Sequence, residues 1–176
     1  MTPRFLSGFR RLALGLPLFA WSWATAAEPA RTVILVRHAE RAGGMSADVE
    51  ISEAGRLRAE ALARILSDAG ITAIYTSDAK RTQQTAAPLA QKTGIRPKVV
   101  PANDTGKLVA QLRADASGGT VLVVGHSNTV PDIASRLSGG TVKPMGDGEY
   151  DRLILLTLPG SGKASVVTLR YPACSK

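Results

Sequence analysis

Two uninterrupted apolar runs stand out along the chain, Val33-Ile34-Leu35-Val36 and Val121-Leu122-Val123-Val124. Neither alternates with polar positions, so both predict strands buried on two faces, as in a parallel sheet covered by helices on each side. Helical periodicity fills the space between them. Ser52 is placed to cap a helix that carries Leu57, Ala61, Leu62, Ile65 and Leu66 on one face, with Gly70 to end it. Ile71 to Tyr75 predicts a strand. A second helix starts near Ser77 or Asp78 and reaches about Lys92, before Gly94, and Pro88 is expected to kink or split it. Lys98 to Val100 reads as a short strand. Asp104 to about Ala116 reads as a third helix with Leu108, Val109 and Leu112 inward. After the strand Thr120 to Val124, a fourth helix follows with Ser127, Asn128 or Thr129 as cap and Pro131 tolerated in its first turn. Arg152 to Leu158 and Ala164 to Arg170 form a hairpin around Pro159-Gly160-Ser161-Gly162. This alternation predicts an α/β fold: a three-layer α/β/α sandwich, mostly parallel, with an antiparallel edge hairpin.

The first residues break the pattern. Arg4, Arg10 and Arg11 precede the apolar run Leu12 to Trp23, and Ala24-Thr25-Ala26-Ala27 offers small residues for cleavage. Residues 1–27 therefore read as a signal peptide, too short to serve comfortably as a bilayer span, and 28–176 as one domain. The mature protein is expected to be periplasmic or secreted, without stable membrane insertion after processing. Arg10-Arg11 leaves Sec and twin-arginine export both open. The full chain carries 22 Lys+Arg against 14 Asp+Glu. Without the three leader arginines the excess is moderate and scattered, with no interleaved aromatics, which argues against nucleic-acid binding and for anionic small molecules or surfaces. Cys174 is the sole cysteine, so no internal disulfide forms.

The chemistry gathers at strand ends. The chain holds two histidines, and each follows a buried-strand run: Arg37-His38 after the first, Gly125-His126 after the other. Ligands of open α/β sheets bind beyond the carboxyl ends of the strands. Arg37 would be costly there unless its planar fork met an anion or an ion-pair partner such as Glu40. Thr76 to Thr85 leaves the Ile71 strand at the same edge and brings Arg81 into the first turns of a helix, whose free amides also suit phosphate. A zinc site fits poorly, because no third ligand accompanies the histidines and two arginines would repel a cation. A serine hydrolase fits poorly too, for want of a Gly-x-Ser-x-Gly elbow. Two imidazoles with two guanidiniums form an anion pocket suited to phosphoryl transfer, with no metal and no cofactor.

Arg37-His38-Ala39-Glu40, the stretch from Ser77 through Arg81-Thr82 to Thr85, and Gly125-His126-Ser127-Asn128-Thr129-Val130-Pro131 together resemble the motifs of the histidine phosphatase superfamily, which includes the phosphoglycerate mutases. Alanine stands at 39 where the family more often has glycine. The resemblance implies that His38 is the nucleophile, that Arg37 and Arg81 bind the phosphoryl oxygens, and that His126 completes the pocket and stabilises the transferring group; Asn128 beside it is expected to bind substrate as well. It also implies a carboxyl acid for the leaving group. Ser127 occupies the position where acid-phosphatase relatives carry Asp, so the acid is sought elsewhere: Asp104 first, although Asp before a helix is also a natural N-cap, then Glu40, Glu149 and Asp151.

The expectation is thus an exported phosphomonoester hydrolase working through a phosphohistidine on His38, with a phosphorylated small molecule or an envelope phosphate ester as substrate. A phosphomutase would resemble its relatives in a long substrate-covering insertion, and the segment between Gly94 and Leu108 is too short for one. A phosphohistidine-protein phosphatase of the same superfamily and a non-catalytic phosphate-binding module also compete with the hydrolase.

Overall fold

The computed structural model describes residues 30–44, 48–115, 118–160 and 162–172. The expected leader and Cys174 lie outside the described residues. Ten elements follow in order: β1 (Arg31–Arg37), α1 (Glu53–Leu66), β2 (Ile71–Thr76), α2 (Lys80–Thr93), β3 (Lys98–Val99), α3 (Thr105–Ala114), β4 (Gly119–Gly125), α4 (Thr129–Ser138), β5 (Arg152–Leu158) and β6 (Ser165–Arg170). They form one mixed sheet in the order β3-β2-β4-β1-β5-β6. β1, β2, β3 and β4 are parallel neighbours, while β5 runs antiparallel to β1 and β6 antiparallel to β5.

The two apolar runs are the paired centre of this sheet, with Val33 opposite Val121 and Val36 opposite Val124. Successive strand side chains point to opposite faces. Val33, Leu35, Val121 and Val123 accordingly pack with Leu108 and Leu112 of α3 and Ile133 and Leu137 of α4. Ile34, Val36, Leu122 and Val124 pack with Leu62 and Leu66 of α1 and Ala86 and Leu89 of α2. Because β1, β2 and β4 are parallel, their carboxyl ends emerge at one edge, and each continues into one of the three motif stretches.

Three details differ from the sequence expectation. Ile65 is exposed; the buried stripe of α1 runs through Gly55, Ala59, Leu62, Ala63 and Leu66, and Ile65 falls outside that 3.6-residue period. The helix α2 starts at Lys80, after Ala79, because Ser77 and Asp78 use their side chains elsewhere. Of the two outcomes expected at Pro88, a kink or a split, the split does not occur, and α2 continues to a left-handed Gly94. Ala86 and Leu89, both fully buried, anchor the helix on either side of the proline, and this packing outweighs the one backbone bond it removes.

Candidate active site

His38 leaves β1 still in sheet register, its amide donating to the Gly125 carbonyl at 2.9 Å. The turn after it is tied from three sides. The Ala39 amide donates to Thr85 Oγ1 (2.9 Å), whose hydroxyl donates to the Arg81 carbonyl in α2 (2.7 Å). The Glu40 carbonyl accepts from the Ser52 amide, and Gly55 lies so close beneath that carbonyl that no side chain fits there. At the end of β4, the His126 amide donates to Thr129 Oγ1 (2.9 Å), so the first residue of α4 holds the second histidine. The two imidazoles meet edge to face with centroids 5.4 Å apart, both buried.

Their hydrogen bonds assign the tautomers. His38 Nδ1 lies 2.8 Å from the Ala39 carbonyl, which can only accept, so the proton sits on Nδ1 and Nε2 keeps its lone pair. His126 Nδ1 faces Arg81 Nη2 at 3.3 Å; a guanidinium can only donate, so Nε2 carries the proton and donates to Ser77 Oγ at 2.9 Å. Ser77 is fixed in turn by Thr82 Oγ1 (2.9 Å). Burial is the main reason His38 titrates low, at about 4; the Ala39 carbonyl opposes it, and His126, Arg81 and Arg37 add to it. Burial, then Arg81, likewise brings His126 to about 4 against the opposing charge of Asp78. Both rings are neutral near pH 7.

Arg37 is 6% exposed and does not pair with Glu40. Its Nη1 donates to the carbonyls of Gly146 (2.8 Å), Asp147 (2.8 Å) and Glu149 (3.2 Å), and its guanidinium carbon sits 4.2 Å from the centre of the Tyr150 ring. Its Nε is buried with no hydrogen-bond partner. Glu40 instead receives Arg58 in a fork, with Nε at 2.9 Å from both oxygens and Nη2 at 2.6 Å. Although burial raises its pKa, these bonds hold the Glu40 carboxyl below its usual range.

The remaining candidates divide. Glu149 is bound by Arg152 and Arg170, and Asp151 by Arg170. Asp104 caps α3, its Oδ1 accepting from the Lys107 amide (3.2 Å), but it also lines a small cavity of about 20 Å³ with Ser77, Thr105 and His126. Asn128 is exposed at the start of α4 and makes no side-chain cap. The structure thus brings His38, His126, Arg37 and Arg81 together, sets Asp104 on a small cavity that His126 also lines, and ties Glu40, Glu149 and Asp151 into ion pairs. Ser77 and Thr85 gained no role from the sequence beyond membership of a motif. Tyr150 and the carbonyls of 146–149 were signalled by nothing but a Gly-rich turn. Among the described residues no three His, Cys, Asp or Glu side chains are arranged to hold a metal ion, and no helix is long and apolar enough to cross a membrane.

Residues 33–102 match the model of the histidine phosphatase superfamily (branch 1). No curated protein sequence matches the chain. Among solved structures, the protein histidine phosphatase SixA complexed with tungstate is similar at a TM-score of 0.69 and 22% identity, over 79% of this chain and 96% of that one. A mycobacterial hydrolase gives 0.67 and 17%, over 84% and 93%. A mycobacterial glucosyl-3-phosphoglycerate phosphatase in complex with inorganic phosphate gives 0.65 and 19%, over 81% and 98%. These likenesses share the mixed α/β fold, and the segment from β1 through β3 carries the site's first two motifs.

Proposed function

We propose that the protein is a phosphomonoester hydrolase that works through a phosphohistidine on His38. The observation that carries this reading is the fixed tautomer of His38: with Nδ1–H donated to the Ala39 carbonyl, the Nε2 lone pair is the free nucleophile, and the ring is neutral near pH 7. Nε2 attacks phosphorus, the P–O bond to the leaving group breaks, and that oxygen takes a proton. Water then attacks the phosphohistidine, the P–N bond breaks, and inorganic phosphate leaves with Nε2 restored.

The arginines supply the charge. With Nη1 of Arg37 committed to backbone carbonyls, the Nε–Nη2 edge is the fork that meets a phosphoryl group, and an oxyanion would satisfy the buried Nε. Arg81 reaches the same space from α2, beside His126, whose Nδ1 it touches. Placing fixed cations where charge develops on the transferring group is the main work of such a site. The names of the structural relatives, a protein histidine phosphatase with tungstate and a sugar-phosphate phosphatase with phosphate, agree with an oxyanion pocket. Asp104 is the proposed acid for the leaving oxygen, since the other three carboxylates are held by arginines. The proposed setting is outside the cytoplasm, which rests on the leader pattern of residues 1–27.

The test is rapid-quench labelling of the mature protein with a radiolabelled phosphomonoester, followed by peptide mapping. An acid-labile, base-stable label on His38, lost together with turnover in His38→Ala, is expected. Full activity of His38→Ala, or a label on Ser127, overturns the mechanism.

A further inference from the structure

A residue outside every motif bears on both Arg37 and His38. Tyr150 lies in the connection between α4 and β5, with the Arg37 guanidinium carbon 4.2 Å from its ring centre and the His38 ring 6.0 Å away at a tilt of 54°. The connection is built to hold it there. Arg152, 5% exposed, grips the Glu149 carboxylate through Nε (2.8 Å) and Nη2 (2.7 Å), and donates to the carbonyls of Lys143 (2.6 Å) and Pro144 (3.1 Å). Glu149 closes the ring by accepting from the Gly146 amide at 3.2 Å. The segment stapled in this way presents the three carbonyls that fix Arg37 Nη1.

A guanidinium has two things to set, the position of its nitrogens and the tilt of its plane. The carbonyls of Gly146, Asp147 and Glu149 hold one corner, Nη1, as three acceptors sharing its two N–H bonds. The tyrosine face restrains the guanidinium as a whole against tilting, because a cation is drawn to the negative face of the ring. The remaining edge, whose Nε is buried and has no hydrogen-bond partner, is then held at one orientation before any oxyanion arrives. Fixed orientation is what a bidentate arginine contributes beyond charge.

We infer that Tyr150 is a positioning residue, its ring holding the plane of Arg37 in the orientation that receives the phosphoryl group. The inference rests on the phosphatase reading above, so its experiment measures binding as well as turnover. Inorganic phosphate affinity by calorimetry and kcat and KM on p-nitrophenyl phosphate are measured for the parent protein, Tyr150→Phe, Tyr150→Leu, Arg37→Lys and Tyr150→Leu/Arg37→Lys, with thermal melting of each. Tyr150→Phe keeps the ring face and stays within about twofold of the parent. Tyr150→Leu loses on the order of tenfold in kcat/KM and in phosphate affinity, the scale of a desolvated cation–π contact. In the Arg37→Lys background, where no planar fork remains to be oriented, Tyr150→Leu costs nothing further. An equal loss from Tyr150→Leu in both backgrounds, a Phe variant as poor as Leu, or a Leu variant equal to the parent overturns the inference. Phosphate binding without turnover in the parent refutes the phosphatase reading alone, and the affinities then decide Tyr150; neither binding nor turnover in the parent refutes both.

Discussion

Two neutral histidines buried beside two guanidiniums make the fold sensitive to mild acid, and the effect can be sized. In the unfolded chain each imidazole titrates near 6.5, whereas burial and the arginines bring His38 and His126 to about 4 in the native protein. Between those values the unfolded chain binds more protons than the folded one, so stability is full above about pH 7 and falls as pH drops. By pH 5 the loss is about 2 kcal/mol for each ring, by linkage, and a large part of a typical stability of ~5–15 kcal/mol for the two together. Replacing one ring by an amide, in His38→Gln, removes its share of the slope. The assay is urea unfolding in phosphate-free buffer at half-unit steps from pH 7.5 to 5. The window stops there because Glu40, Asp132 and Glu149, held below the usual carboxyl range by arginine partners, begin to contribute at lower pH. The expected result is a parent curve that falls by about 2 kcal/mol more than that of His38→Gln, with His126→Gln behaving alike. Parallel curves across the window would refute the assignment of buried, neutral imidazoles.

Two further outcomes follow from single contacts. Gly55→Ala, a change that ordinarily favours a helix, should destabilise by about 1–3 kcal/mol, because the new Cβ collides with the Glu40 carbonyl and meets Ile51 Cβ at 3.0 Å; thermal melting checks it, and a gain in Tm would contradict the packing. Asp104→Asn should leave melting unchanged, since asparagine caps a helix as well as aspartate does, while slowing alkyl phosphates at least about tenfold and p-nitrophenyl phosphate little. An equal change in rate on both substrates would confine Asp104 to its cap.

Much of this arrangement was legible in the sequence, for a physical reason. A strand buried on two faces must be apolar along its length, so Val33 to Val36 and Val121 to Val124 announced themselves, and the residue after each run had to lie at the sheet edge where polar groups find water or ligand. The second motif followed β2 to the same edge for the same reason. Sequence periodicity was weaker on α1, where the stripe facing the sheet is made of Gly55, Ala59 and Ala63 as much as of leucines; small residues bury well but carry little hydrophobic signal, and Ile65 was therefore misassigned. The fate of Pro88 was unreadable because it depends on how Ala86 and Leu89 pack against strands distant in the chain.

The partner of Arg37 is the harder case. Glu40 lies three residues away and carries the right charge, yet the chain at 38–40 is pinned by Thr85, Ser52 and Gly55 so that Glu40 turns toward α1 and meets Arg58. Arg37 is then satisfied by carbonyls more than a hundred residues downstream, reached because β5 pairs antiparallel with β1 and the connection from α4 must therefore arrive at the carboxyl end of β1 to begin β5. That geometry is set by topology, and the carbonyl oxygens it uses exist at every residue, so no residue type could advertise them. What the sequence does supply is the means of holding them: Arg152 opening β5 and Glu149 three residues before it, which close the connection on itself with charge-assisted bonds. An arginine of the pocket is thus oriented by the far end of the chain. The matched segment 33–102 contains Arg37, His38 and Arg81, but the groups that fix Arg37 in place lie entirely outside it.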